Sequence, residues 1–273
     1  MKRLSVIFIL TLILFSSSAC KNNSVNKDYE LTEALEAYNK AVLLYQQEPA
    51  VKLNISTTLK IDSDTSSTTR IDGNAYIADS EGKGNYIASG DFTNVINTTS
   101  MPFSFYTENN ILYTVFFGFT FKSTAENSEQ IEKIRYVVNS FTNDFFFGVN
   151  NKIFDIDNAS FSETDFGTQI SFDIKETSAQ SDFISTLKRL VDAQPETQVD
   201  FTKINMLCKT DKNGFPTEIN ISVDAATNQA TATLTGTIII EKFSGDIPVP
   251  EAVNKDDFKD YDLDEVINAI DQM

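Results

Sequence analysis

The chain contains no histidine, so neither a Ser-His-Asp nor a Cys-His arrangement can be assembled from it, and the usual zinc sites lose their nitrogen ligand. Carboxylates, hydroxyls, thiols and aromatic rings remain. The acidic run Asp256, Asp257, Asp260, Asp262, Asp264 and Glu265 has the oxygens to collect calcium, but it lacks the glycine that an EF-hand loop needs at its sixth position, and it reads as a solvated acidic helix. Asp211-Lys212-Asn213-Gly214 reads as a hairpin turn before it reads as a metal loop. Ser185-Thr186-Leu187-Lys188 has the spacing at which a lysine can activate a serine nucleophile. The same spacing recurs at Ser18 and Lys21, Ser24 and Lys27, and Ser80 and Lys83, and neither Ser181-Asp182-Phe183 nor Lys209-Thr210-Asp211 supplies the companion motifs. No catalytic residue, metal or cofactor is expected, and the chain is read as a non-enzyme. A hydrolase working without histidine ranks last among the functions.

Aromatic side chains are the unusual feature: 22 phenylalanines and no tryptophan, with Phe116, Phe117, Phe119 and Phe121 in one cluster and Phe145, Phe146 and Phe147 in another. Core packing is one reading, since consecutive aromatics on a strand point to both faces of a sheet and much of that surface must be buried. The other is an apolar cavity for a lipid or similar ligand. Period-two alternation puts Tyr113, Val115, Phe117 and Phe119 on one wall if the strand runs on past Gly118, and Phe145 and Phe147 join them as the expected ligand-binding set.

The N-terminus carries a different chemistry. Lys2 and Arg3 precede an apolar stretch from Leu4 to Phe15, small residues from Ser16 to Ala19, and then Cys20. That order is a secretory signal over residues 1–19, too short to span a bilayer as a helix. Ser17-Ser18-Ala19-Cys20 resembles the lipobox of bacterial lipoproteins, which implies acylation of Cys20 and cleavage before it; ordinary cleavage after Ala19 is the alternative. Two acyl chains hold stably where one is marginal. The protein is expected on the outer, extracytoplasmic face of the cell membrane, with Cys20 and the polar stretch to Asp28 as anchor and tether. Lys21 to Asp28 can reach about 26–29 Å.

A formal charge of −17 argues against nucleic acid as a partner and against direct adhesion to anionic headgroups. With Cys20 committed to lipid, Cys208 has no disulfide partner. It falls in phase with Ile204 and Met206 and reads as a buried, inert thiol. A monomer is expected.

The spacing of Leu31, Leu35, Tyr38, Val42 and Tyr45 predicts a helix over 31–47, ended by Pro49. From Val51 to Ile61 the period changes to two, as in a half-buried antiparallel strand. Further strands are predicted near 69–79, 84–93, 101–107, 111–122, 145–149, 159–164, 168–176, 199–209, 216–223 and 230–242, and further helices over 128–142 and 180–193. The fold class is α+β, with more strand than helix.

This order of pieces, with the motif Tyr106-Thr-Glu-Asn-Asn-Ile-Leu-Tyr113 and the ending Ile247-Pro-Val-Pro-Glu-Ala252, is similar to the LolA and LppX-type envelope lipoproteins, and more so to uncharacterised Gram-positive lipoproteins. The resemblance covers most of residues 29–254. It implies a strongly curved antiparallel half-barrel of about ten strands with helices on the concave side of an apolar cavity. Residues 255–273 form an acidic C-terminal helix or tail, with Asp262 and Glu265 spaced as a capping box. The function this implies is binding of a lipid or other hydrophobic ligand at the envelope. A non-enzymatic scaffold with a filled core, recruiting another envelope protein, is the alternative.

Overall fold

The computed structural model describes residues 25–63, 66–79, 86–116, 118–142, 155–175, 199–227 and 230–265. The signal segment, Cys20, Phe117, the expected strand 145–149 with Phe145 and Phe147, and the expected helix 180–193 lie outside the described residues.

Period-two alternation makes strands of most of the described chain. They are β1 (Ala50–Asp62), β2 (Ser67–Asp79), β3 (Tyr86–Ile96), β4 (Thr99–Glu108), β5 (Ile111–Phe116), β6 (Phe119–Thr124), β7 (Asp155–Thr164), β8 (Gly167–Lys175), β9 (Asp200–Thr210), β10 (Pro216–Ala226), β11 (Thr231–Lys242) and the two-residue β12 (Lys259–Asp260). Helices α1 (Val25–Gln47) and α2 (Ser128–Thr142) flank the first meander. All twelve strands belong to one curved, unclosed sheet in the order β12-β6-β5-β4-β3-β2-β1-β11-β10-β9-β8-β7. Two antiparallel meanders, β1 to β6 and β7 to β11, are thus joined side by side. The joint is the β1–β11 ladder, paired without a bulge from Val51↔Lys242 to Asp62↔Thr231. Among the described strands only β12 runs parallel to its neighbour, β6.

The strand predicted over 111–122 is two strands. Phe116 pairs with Phe119, so the chain reverses between them, and Gly118 adopts φ 78°, open to glycine at no steric cost. The preceding hairpin turns at Asn109 and Asn110, with φ 52° and 62°, the two positive values a type I′ turn requires. Asp211 builds the β9–β10 turn, its carboxylate accepting from the amides of Asn213 (2.8 Å) and Phe215 (2.9 Å). Helix α1 opens at Val25, inside the stretch expected to be tether. Its apolar stripe begins only at Leu31, so the polar turns before it carry no periodic signal.

One face of both meanders, together with α1 and α2, forms a single contiguous core. Leu53 and Ile55 of β1, Phe92 of β3, Phe105 of β4, Phe172 of β8, Met206 and Cys208 of β9, and Ile238 of β11 meet Ala34 and Tyr38 of α1 and Val137 and Val138 of α2. Helix α1 packs against β7, β8 and β10. This helix-bearing side is the inner face. Glycines make room on it for rings: a Cβ on Gly90 would stand 2.4 Å from Phe105 Cε1 and 2.6 Å from Phe92 Cε2, and one on Gly73 would stand 2.3 Å from Phe92 Cδ1. The rings therefore lie over bare backbone.

Candidate functional site

The inner face combines apolar walls with buried polar atoms that have no hydrogen-bond partner among the described residues. Tyr38, on the buried stripe of α1, is 1% exposed, and its ring meets Phe172 edge-on at 5.6 Å. Among the described residues its hydroxyl has no hydrogen-bond partner, and the same holds for Thr114 Oγ1 and Asn94 Oδ1. Register places Asn94 and Thr114 on the same face as Phe92 and Phe105, through Ile71↔Asn94 and Phe105↔Thr114. Buried polar groups are nearly always paired in native proteins, so these three atoms are the places on the apolar face where a further hydrogen bond could be made. Burial holds the Tyr38 phenol well above its usual pKa, with the neighbouring Cys208 adding to the effect. Desolvation pushes the Cys208 thiol up to about 12, so it is neutral and unreactive at physiological pH.

The outer face has its own small core under the C-terminal segment. Tyr106, Tyr113 and Val253 are buried there, with Ile87, Ile111, Val115, Ile247 and Phe258 packed around them. Phe258 meets Tyr113 edge-on at 5.3 Å. Lys255 Nζ sits 4.7 Å from the Tyr106 ring centroid and 6.0 Å from that of Tyr113, and is ion-paired with Glu108. The hydrogen bond to Glu108 raises the Lys255 pKa, offset in part by desolvation.

The residues predicted to share a ligand wall are therefore divided. Tyr113 and Val115 belong to the outer cluster, covered by residues 247–258 and turned away from the main core. Phe119 lies beyond the Gly118 turn, and its pairing with Phe116 puts it on the opposite face from Tyr113 and Val115, 66% exposed near the hairpin tip. The condition on that expectation, a strand running on past Gly118, is not met. Phe117, Phe145, Phe147 and the acylation residue Cys20 lie outside the described residues. In the sequence Tyr38 stands only as one member of the α1 apolar stripe. No sequence signal separates a tyrosine whose hydroxyl reaches a partner from one whose hydroxyl does not.

Along β1, β2 and β3 an open depression of about 450 Å³ is bordered by Ile55, Asp72, Gly73, Asn74, Asp91, Phe92 and Thr93. Its carboxylates are already engaged, Asp72 by Ser56 (2.7 Å) and Arg70, Asp91 by Ser104 (2.8 Å). In the C-terminal acidic run, Asp260 pairs with Lys122 (2.9 Å) and Asp264 with Lys133 (2.6 Å), while Asp262 caps a helical turn by accepting the Asp264 amide (2.8 Å). Among the described residues no three metal-ligating side chains converge, and no helix is long and apolar enough to cross a membrane.

The chain matches no known family and no curated protein. Among solved structures it is similar to a β-barrel-like protein of a domain of unknown function, DUF1849, from Brucella abortus. That likeness has 9% identity over 72% of this chain and 99% of the other, with a TM-score of 0.18.

Proposed function

We propose that the protein is a lipoprotein anchored through Cys20 to the outer face of the cell membrane, and that its domain, a LolA/LppX-like half-barrel, binds a lipid or similar apolar ligand between sheet and helices without catalysing a reaction. The observation that carries this reading is the inner face itself. A curved sheet that does not close presents apolar side chains from both meanders toward α1 and α2, and three polar atoms on that face are buried without partners among the described residues. A ligand with an acyl chain and a few polar groups suits such a surface, since concave apolar sites hold lipids through area and orient them through a small number of polar contacts.

The scaffold reading is favoured by a different feature, the continuity of the core across both meanders. The two differ in what leaves the protein on extraction. Native lipoprotein purified from membranes, extracted with organic solvent and analysed by mass spectrometry, should release a lipid in stoichiometric amount, and the delipidated protein should take up a fluorescent diacylglycerol. Replacement of Cys20 by Ala should move the protein from the membrane to the soluble fraction with uptake intact. Extraction that yields no lipid beyond that on Cys20, together with no uptake, would replace the binder with the scaffold.

A further inference from the structure

Tyr38 occupies the centre of the α1 surface that faces the sheet, between Ala34 and Ala41, all three at or below 1% exposure. A phenylalanine would fill the same volume and make the same edge-on contact with Phe172. The hydroxyl adds an unmade hydrogen bond, a cost in a buried place with no return among the described residues. Cys208, the polar neighbour, is no substitute acceptor: thiols accept hydrogen bonds weakly. The electrostatic influences on Tyr38 are burial and that thiol, with no cation among them.

We propose that the Tyr38 hydroxyl is the polar anchor of the bound ligand and donates a hydrogen bond to a neutral carbonyl oxygen, as found in an acyl ester. The inference rests on the lipid-binding reading. The choice of a neutral acceptor follows from the surroundings: a carboxylate or phosphate would enter an apolar site without a counter-charge, which costs far more than one hydrogen bond returns, whereas an ester carbonyl is cheaply desolvated and keeps its lone pairs. Entry alongside Tyr38 is eased by the residues one turn on either side. Ala34 and Ala41 present single methyl groups to the sheet, so an acyl chain has no bulky side chain of α1 to displace there.

The test compares a fluorescent diacylglycerol with its ether-linked analogue, which lacks the carbonyls, on the wild-type lipoprotein and on Tyr38→Phe. Wild type should bind the ester about 3- to 10-fold more tightly than the ether, a preference that one neutral hydrogen bond supplies and that Tyr38→Phe should erase. The ¹³C-labelled ester carbonyl stretch should move to lower frequency on binding wild type and stay unshifted on Tyr38→Phe, whose melting temperature without ligand should equal or exceed that of wild type. Equal affinities for ester and ether on wild type, or an unshifted carbonyl, would overturn the anchor while leaving the binder reading standing; the ester–ether comparison needs no variant to fold. Absence of binding of either probe to wild type would remove the binder reading and this inference with it.

Discussion

Cys208 lies on β9 in a buried row with Ile204 and Met206, and the removal of water from around it holds its pKa near 12 against an ordinary value of 9.0. As pH rises above about 9 the unfolded chain releases the thiol proton while the folded chain retains it. The stability present below pH 9 is therefore lost progressively toward pH 12, with a limiting slope of about 1.4 kcal/mol per pH unit. Tyr38, also raised, adds to the loss above pH 10. Urea titrations at pH 8 and pH 10 should show wild type losing roughly 1 kcal/mol between the two, and Cys208→Ala losing clearly less from a lower starting point set by the cavity it creates. Equal losses in the two proteins would show that the thiol is solvated. The burial of Cys208 was legible because period two alone places it with Ile204 and Met206. The fate of Tyr113 and Val115 was not: alternation tells which residues share a face but not which face turns toward the helices, and residues 247–258, far away in sequence, cover theirs.

Strands β2, β3 and β4 show the same limit one level up. Their antiparallel order follows from alternation, and elsewhere in the sheet Asp211–Gly214 announces the β9–β10 hairpin through turn chemistry. The β5–β6 turn is hidden because Val115 to Phe121 is an aromatic run whose single glycine reads equally well as part of a strand. Gly90, in mid-strand, has a purpose only the packed sheet reveals, since the rings of Phe92 and Phe105 occupy the space its side chain would take. Gly90→Ala should consequently destabilise the protein by about 1–3 kcal/mol, the usual range for forcing extra volume into a packed core. Combining it with Phe105→Leu, which shortens the clashing side chain, should cost less than the sum of the two single changes. Additive losses in chemical denaturation would mean that the rings do not lean on Gly90.

Over the whole molecule, the C-terminal segment ties the two faces together. From the end of β11 it crosses the outer face, where Val253 and Phe258 seal Tyr106 and Tyr113. It then runs parallel to β6 as β12, with the Tyr261 amide donating to the Lys122 carbonyl (2.8 Å) and the Ser123 hydroxyl donating to the Tyr261 carbonyl (2.9 Å). Beyond that edge Leu263 enters the main inner core, and Asp264 pairs with Lys133 of α2. The sequence displays the acidic character of this segment and the cap at Asp262. Ile247, Val253 and Phe258 are too widely spaced to show any period, so the segment's route across the outer face had no local signature. Edge strands left with unpaired amides and carbonyls invite pairing with another chain, and this segment covers the β6 edge with a short strand and an ion pair. Truncation after Asp246 should therefore do two things together: expose the outer aromatic cluster, seen as increased binding of a hydrophobic dye, and free the β6 edge, seen as concentration-dependent association in sedimentation. Leu263→Ala keeps the outer crossing and β12 and removes only the inner contact. It should lower stability by about 2–5 kcal/mol as a buried leucine truncation does, without inducing association. Association of Leu263→Ala to the same extent as the truncated chain would show that the inner contact, and not the covered edge, is what keeps one molecule from pairing with the next.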